Sequence, residues 1–299
     1  MGQIKEWIVA IRLRTLPLAL ASIGLGSFLA AFDGNFRFPV FALSAITTIF
    51  LQILSNLAND YGDSQHGADS AEREGPLRAV QSGKISSKTM KLAIYLFIAL
   101  SLISGLLLLF ISIPKLSIEF LGLLILGLLS VAAALNYTMG RNPYGYAGFG
   151  DLFVILFFGF AGVVGTYYCH TGAFKLEVLL PALSCGLLST AVLNVNNIRD
   201  MVSDEMAGKR SIPVRIGRKN AVIYHWGLII VSLISASVFV ILNYNSPIQF
   251  LFLLTSPLLF FNALKVSSVK ESKRLDPYLK QMAMSTLIFI VTFGIGILI

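Results

Sequence analysis

Runs of about twenty residues without a charge recur along this chain, and that is the length an α-helix needs to cross the hydrocarbon of a bilayer. They cover 15–32, 38–59, 92–114, 120–140, 152–174, 178–198 and 281–299. A further run, 220–264, is too long for one crossing, and the turn chemistry of Asn243-Tyr-Asn-Ser-Pro247 divides it into two helices. Nine spans result. Only 13% of the 299 residues are charged and 56% are hydrophobic, against roughly 25% charged in a soluble domain. Water cannot solvate that excess, so a cytosolic enzyme, a secreted globule and a disordered chain are all excluded.

The expectation is an all-α integral membrane protein with one membrane-embedded domain over 1–299. Nine spans place the N-terminus and the loops after spans 2, 4, 6 and 8 on one side. That side holds 20 of the 23 Lys and Arg; the other holds only Arg37, Lys115 and Lys175. Basic loops stay in the cytoplasm, so the N-terminus is expected inside and the C-terminus outside. Lys5, Arg12 and Arg14, beside Trp7, read as an interfacial helix before span 1, in preference to a cleaved signal peptide. The net charge of +8 then belongs to cytoplasmic loops and anionic lipid rather than to nucleic acid. Cys169 and Cys185 sit in apolar segments and form no zinc-like spacing.

The acids carry the functional signal. One cluster is Asn56-Leu-Ala-Asn-Asp60-Tyr-Gly-Asp63, followed by Gly67, Asp69, Glu72 and Glu74; the other is Asn194-Val-Asn-Asn197-Ile-Arg-Asp200, followed by Asp204 and Glu205. Both are expected in loops directly after spans 2 and 6. Their spacings put Asp60 with Asp63, and Asp200 with Asp204, on one helical face. Carboxylates so placed repel one another near a negative helix C-terminus, so a compensating cation is expected. Mg²⁺ takes one or two carboxylates plus substrate phosphates, and two facing clusters read as a magnesium-bridged diphosphate site. The bland alternative is a set of solvated loop acids balanced by Arg73, Arg78, Arg199, Lys209 and Arg210.

A repeat argues against the bland alternative. Shifted by 137 residues, Asn59 falls on Asn196, Asp60 on Asn197, Asp63 on Asp200, Pro76 on Pro213 and Arg78 on Arg215. Spans 1–4 then overlay spans 5–8 in one direction, giving halves at about 1–140 and 141–266 and an extra helix at 280–299. Both clusters fall on the same side of the membrane, where two half-sites can face one substrate. The loops from Gly75 to Gly83 and from Gly208 to Gly217 supply cations that would neutralise a diphosphate; ordinary cytoplasmic charge is the competing reading. No Walker loop, dinucleotide fingerprint or Gly-x-Ser-x-Gly elbow occurs, and His66, His170 and His225 are dispersed.

These residues resemble the UbiA-type membrane prenyltransferases, whose paired aspartate-rich motifs match Asn59-Asp60-x-x-Asp63 and Asp200-x-x-x-Asp204. Further strings resemble the branch that prenylates 1,4-dihydroxy-2-naphthoate in menaquinone synthesis: Arg12-Leu-Arg-Thr-Leu-Pro17, Gly75-Pro-Leu-Arg78, Tyr137-Thr-Met-Gly, Pro143-Tyr-Gly-Tyr146 and Gly148-x-Gly-Asp151. Gly67 stands where many members carry a third acid, with Asp69 two residues on, and Leu13 replaces a common Pro.

The resemblance implies Mg²⁺ held by Asp60, Asp63, Asp200 and Asp204 with Asn56 and Asn197. It also implies a polyprenyl diphosphate whose tail lies in the bundle, and decarboxylative transfer to the naphthoate in a bacterial cytoplasmic membrane, giving demethylmenaquinone. Arg78, Arg199, Lys209 and Arg210 are then candidates for diphosphate or acceptor-carboxylate contacts, and Tyr137, Arg141 and Tyr144 for holding the aromatic acceptor. Rival readings are the same donor with another acceptor, such as 4-hydroxybenzoate or homogentisate, a cation-coupled transporter and a structural scaffold. Transporters place such acids near the midplane, whereas these lie at the ends of spans.

Overall fold

The computed structural model describes residues 2–66, 78–113 and 115–299, and every regular element among them is helical. Gly67, Asp69 and the Gly75-Pro-Leu segment, singled out in the sequence, lie outside the described residues. A short helix α1 (Gly2–Ile11) is followed by α2 (Leu16–Phe32), α3 (Phe38–His66), α4 (Ser87–Ser112) and α5 (Ile118–Asn136). The fifth span is composite: α6 (Gly150–Val154), a π-helical stretch at Ile155–Val164 and α7 (Gly165–Thr171). Then come α8 (Leu179–Arg199), the short α9 (Met201–Met206), α10 (Ile212–Leu242), α11 (Ser256–Ser268) and α12 (Asp276–Leu298). Among the described residues eight helices are long and apolar enough to cross a membrane, and α1 with α2, a pair bent by 49°, brings the number to nine if the two count as one span.

Local chemistry sets the ends. Ser86 and Ser117 accept hydrogen bonds from the backbone N–H groups of Thr89 and Phe120 and start α4 and α5. The divided long run behaves as its turn residues require: α10 stops at Leu242, and Ser246 with Gln249 forms a capping box for the next turn. Span 2 differs from expectation. Its helix runs through Asp60 and Asp63 to His66, so the first acidic motif is helical rather than looped. No glycine–proline break interrupts that stretch, and its carboxylates find partners. Span 7 likewise begins early, at Ile212, with a kink at Gly217 (φ 76°).

The packing has a central pillar. The span Leu176–Arg199 is 72% buried inside the protein, whereas Ile118–Asn136 is 11% buried and faces lipid. Helix α8 packs most extensively on α10, as α3 does on α4, and α12 lies against both α2 and α8. Phe252, Phe289, Phe293, Leu188 and Ile229 form the larger core, and Leu54, Leu57, Met90 and Ile94 a second one between α3 and α4. Between the two cores lies a cavity.

Close helix approach depends on small residues. A Cβ at Gly26 of α2 would lie 2.5 Å from the Val163 carbonyl oxygen and 2.9 Å from Thr166 Cβ. Overpacking of this kind costs about 1–3 kcal/mol. Gly26→Val is therefore expected to lower the thermal unfolding midpoint in detergent; an unchanged midpoint would show that α2 and the fifth span do not approach this closely.

Candidate active site

The cavity is about 1290 Å³, larger than the roughly 300–1,000 Å³ of ordinary small-molecule pockets. It is polar at one end and apolar along the rest. Asp60, Asp63, Asp200 and Asp204 all line the polar end, with Arg78, Arg199 and Lys209 between them. All four aspartates are buried. The apolar arm runs between α4, α5 and the fifth span, past Leu102, Leu106 and Phe157, to Leu109 and Cys169 at the opposite ends of their helices.

Each buried carboxylate is neutralised in its own way, because an isolated charge there would be prohibitive. Asp60 accepts the backbone N–H groups of Ala79 (3.0 Å) and Val80 (3.1 Å), which folds the loop after α3 back onto the helix. Asp63 pairs with Arg78, brought in by that loop, and accepts the Tyr146 hydroxyl at 2.8 Å. Asp200 lies under a bidentate Arg199, with Nε–Oδ1 and Nη2–Oδ2 both 2.8 Å. Asp204 meets the Lys209 ammonium at 3.1 Å through Oδ1, and its Oδ2 is buried with no hydrogen-bond partner among the described residues.

Electrostatics tie the clusters together. Burial pushes the Asp204 carboxyl above its ordinary value; Lys209 opposes this, and the charges of Asp200 and Asp63 add to it. Burial works against the Lys209 ammonium, yet Asp204, Tyr137 and Asp63 more than offset it and raise its pKa. Tyr146 is held well above the ordinary phenol range by burial and by Asp63.

The expected site residues do not all reach the cavity. Asn56 is on the wall, but its amide nitrogen is committed to the Ile11 carbonyl (2.8 Å) and to Thr15 Oγ1 (3.0 Å), clamping the α1–α2 corner to α3. Asn197 is buried away from the cavity, and its neighbour Asn196, four residues before Asp200 on the same helical face, lines the wall instead. Asn194 is spent on the Ala221 carbonyl of α10. Tyr137 and Tyr144 line the cavity in edge-to-face contact, and Tyr144 stacks on Phe153. Arg141 and Arg210 are exposed and off the wall. Arg210 contributes only backbone: its N–H bonds the Tyr146 carbonyl at 2.9 Å, docking the two loops.

Sequence reasoning missed three wall residues. Arg12, assigned to the lipid interface, turns inward at the α1–α2 corner with a left-handed backbone (φ 52°), the only such non-glycine among the described residues. Asp276 and Lys280, one turn apart at the start of α12, also reach the cavity; their i, i+4 spacing beside Pro277 was the only signal.

Among the described residues no three His, Cys, Asp or Glu side chains already converge as a metal site. The cations hold the carboxylates apart. The donors nevertheless fit Mg²⁺: hard oxygens throughout, with Asp204 Oδ2 buried and open. A diphosphate would complete the coordination that protein carboxylates alone leave unfinished, which is the usual Mg²⁺ arrangement.

The fold is shared with known proteins. The family model described as UbiA prenyltransferase matches residues 19–298. The 1,4-dihydroxy-2-naphthoate octaprenyltransferase of Haemophilus influenzae is 43% identical over 99% of this chain and 97% of its own length. A UbiA homologue from Aeropyrum pernix K1 superposes with a TM-score of 0.69 at 20% identity, covering 96% of this chain and 97% of that one. Another, from Archaeoglobus fulgidus and solved bound to DMAPP and Mg²⁺, superposes with a TM-score of 0.64 at 17% identity over 98% and 99%. With buried aspartates from two matching helices at one end of a long apolar cavity, and with a family match over nearly its whole length, this multi-pass membrane protein belongs to the UbiA prenyltransferase family.

Proposed function

We propose that the chain transfers a polyprenyl group from a polyprenyl diphosphate to 1,4-dihydroxy-2-naphthoate, releasing diphosphate and CO₂ and giving demethylmenaquinone. The observation that carries this reading is the single cavity that joins a cluster of buried aspartates to an apolar arm. A diphosphate head belongs at the first and a prenyl tail in the second. The near full-length identity to a naphthoate octaprenyltransferase supports the acceptor.

Mg²⁺ would be held by Asp63, Asp200 and Asp204, with Asp60 and Asn56 on the same wall, and when bound it supplies Lewis-acid stabilisation of the departing diphosphate. The chain's own groups do the rest. Lys209 and Arg78 place fixed positive charge where the C1–O bond breaks and negative charge develops on diphosphate. The apolar arm keeps water from the allylic cation left behind. The ring carbon that bears the carboxylate attacks C1, and the C–CO₂ bond electrons return to the ring as CO₂ departs, so no proton need be removed at that carbon. Tyr137 and Tyr144, stacked with Phe153 beside the polar end, form an aromatic wall against which the acceptor ring can lie.

The same reading extends to topology. The N-terminus and the site loops lie in the cytoplasm of a bacterial inner membrane and α12 ends outside, supported by 20 of 23 basic residues on the site's side. The halves at about 1–140 and 141–266 form a duplicated four-helix unit. Asp63 in the last turn of α3 and Asp200 at the C-cap of α8, both at one cavity, and the matching α3–α4 and α8–α10 pairs, support it.

Three outcomes test this. Purified protein given polyprenyl diphosphate and 1,4-dihydroxy-2-naphthoate should form prenylated product and CO₂, followed by mass spectrometry, only with Mg²⁺, and chelation by EDTA should reduce turnover to background. Product formed equally in EDTA would remove the metal reading, and turnover only with a different aromatic acid would remove the acceptor. Asp63→Asn and Asp200→Asn should each lower kcat/KM by a factor on the order of a hundred or more in protein that still folds; wild-type rates in both would sink the diphosphate site. Cys169→Trp, at the closed end of the arm, should shift preference toward shorter prenyl diphosphates in a mixed-length competition, and an unchanged product distribution would mean that the tail does not reach this end.

A further inference from the structure

The two halves of the site neutralise equivalent aspartates with different cations, and the difference involves the ninth span. Asp63 and Asp200 correspond under the 137-residue shift. Arg78, from the loop after α3, pairs with Asp63. Its counterpart Arg215 does not reach Asp200: its guanidinium is spent on the carbonyls of Ala147 (2.5 Å) and Arg210 (3.0 Å). Arg199 takes the role instead, and the position equivalent to Arg199 in the first half is Gly62, which packs on Thr138 with no room for a side chain.

Arg199 carries more than one load. Nε and Nη2 lie flat on the two oxygens of Asp200 at 2.8 Å, Nη2 also donates to Asn196 Oδ1 at 2.9 Å, and Nη1 donates to Asp276 Oδ1 at 2.6 Å. The Arg199 side chain is 2% exposed and that of Asp276 50% exposed. Two carboxylates thus share one planar fork, and only one of them is buried deep in the cavity wall. A guanidinium sitting squarely on Asp200 covers the oxygens that a metal needs, and among the described residues the one other carboxylate on that guanidinium is Asp276, at the start of α12, the helix that the repeat leaves without a partner.

We propose that Asp276 is a positioning residue that gives the Arg199 guanidinium a second carboxylate to hold when Mg²⁺–diphosphate takes the oxygens of Asp200, and thereby sets the affinity of the second half-site for Mg²⁺–diphosphate. The chemistry requires Arg, because a planar guanidinium can span two carboxylates while an ammonium acts as a single point charge. The inference rests on Asp200 being a Mg²⁺ ligand. A tie that merely fastened α8 to α12 would alter thermal stability and leave metal affinity alone.

The test titrates Mg²⁺ calorimetrically into the full chain in nanodiscs holding inorganic diphosphate, and in parallel records turnover against Mg²⁺ concentration. Absence of both binding and turnover in the wild type would overturn the magnesium reading itself, and this inference with it. With wild-type binding established, Asp276→Asn should raise the Mg²⁺ Kd about tenfold. It should move the activity curve to higher Mg²⁺ while kcat at saturation is retained, and Asp276→Glu should restore the affinity. In an Arg199→Lys background, Asp276→Asn should add nothing, since the shared fork is already gone. An unchanged Kd in Asp276→Asn, or an undiminished effect in the Lys background, overturns the proposal. Should Asp276→Asn fail to fold, Arg199→Lys alone decides: a Kd raised about tenfold supports the shared fork, and a wild-type Kd overturns it.

Discussion

Four carboxylates buried at one end of a bundle whose solvent is lipid are the constraint on which the rest of this structure depends. In a medium that cannot hydrate them, each must meet a cation or a set of N–H donors before the helices can pack. The loop after α3 folds back because Asp60 captures the amides of Ala79 and Val80, and this delivers Arg78 to Asp63. The turn after α9 closes because Lys209 returns to Asp204 with both its side chain and its backbone N–H. Tyr146 crosses from the loop after α5 to Asp63, and the backbone of that same residue receives the N–H of Arg210. Neutralising the acids therefore also assembles the loops over the cavity mouth.

That neutralisation is deliberately incomplete in one respect. Asp63, Asp200 and Asp204 each face a cation and Asp60 faces two backbone N–H groups, so among the described residues the four acids do not converge into a metal cage. Among the same residues Asp204 Oδ2 is buried with no hydrogen-bond partner. A site so arranged has little to hold a bare divalent ion, and most to gain when ion and diphosphate arrive together, the one meeting the carboxylates and the other the displaced cations. Coupling of this kind favours charge on the substrate over charge in the empty site, which is the condition for loading a reactive donor before its bond breaks.

The elements most legible in the sequence are those dictated by the bilayer. Charge-free runs located the eight spanning helices and the second helix of the bent pair because a spanning helix has no alternative way to satisfy its backbone, and the Asn243–Pro247 break was readable because its turn residues cannot continue a helix. The acidic motifs were legible because carboxylates at span ends are expensive. Facing was harder. Asn196 and Asn197 differ by 100° around the helix, and composition does not say which one points to the cavity; the 137-residue match of Asn196 to Asn59, both on the wall, held the answer. Arg141 and Arg210 followed the rule that a cation near a motif belongs to it, which fails when a loop commits its backbone and leaves the side chain in solvent. Arg12 failed the opposite way: a basic residue in an amphipathic helix reads as a lipid contact until a left-handed corner turns it inward. The π-helical stretch at Ile155–Val164 has no signature in hydropathy at all.

The shape of the apolar arm follows from that last element and from small residues beside it. A π-helix widens the helix and offsets its side chains, and here it holds Ala161 and Gly162 on the cavity side, with Gly165 the first residue beyond it. Across the arm, Gly105 of α4 and Gly127 of α5 also line the wall. Large side chains at these positions would fill the space that α8, packed tightly on its other faces, cannot yield. A bundle normally closes such gaps because dispersion and packing favour density; keeping one open needs small residues opposite a helix that does not follow the ordinary ridge pattern. The result is an apolar channel that begins at fixed positive charge and ends among leucines and Cys169. Walls of this kind would keep water from an allylic cation, and an acceptor ring at the aromatic wall would then be the nucleophile within reach.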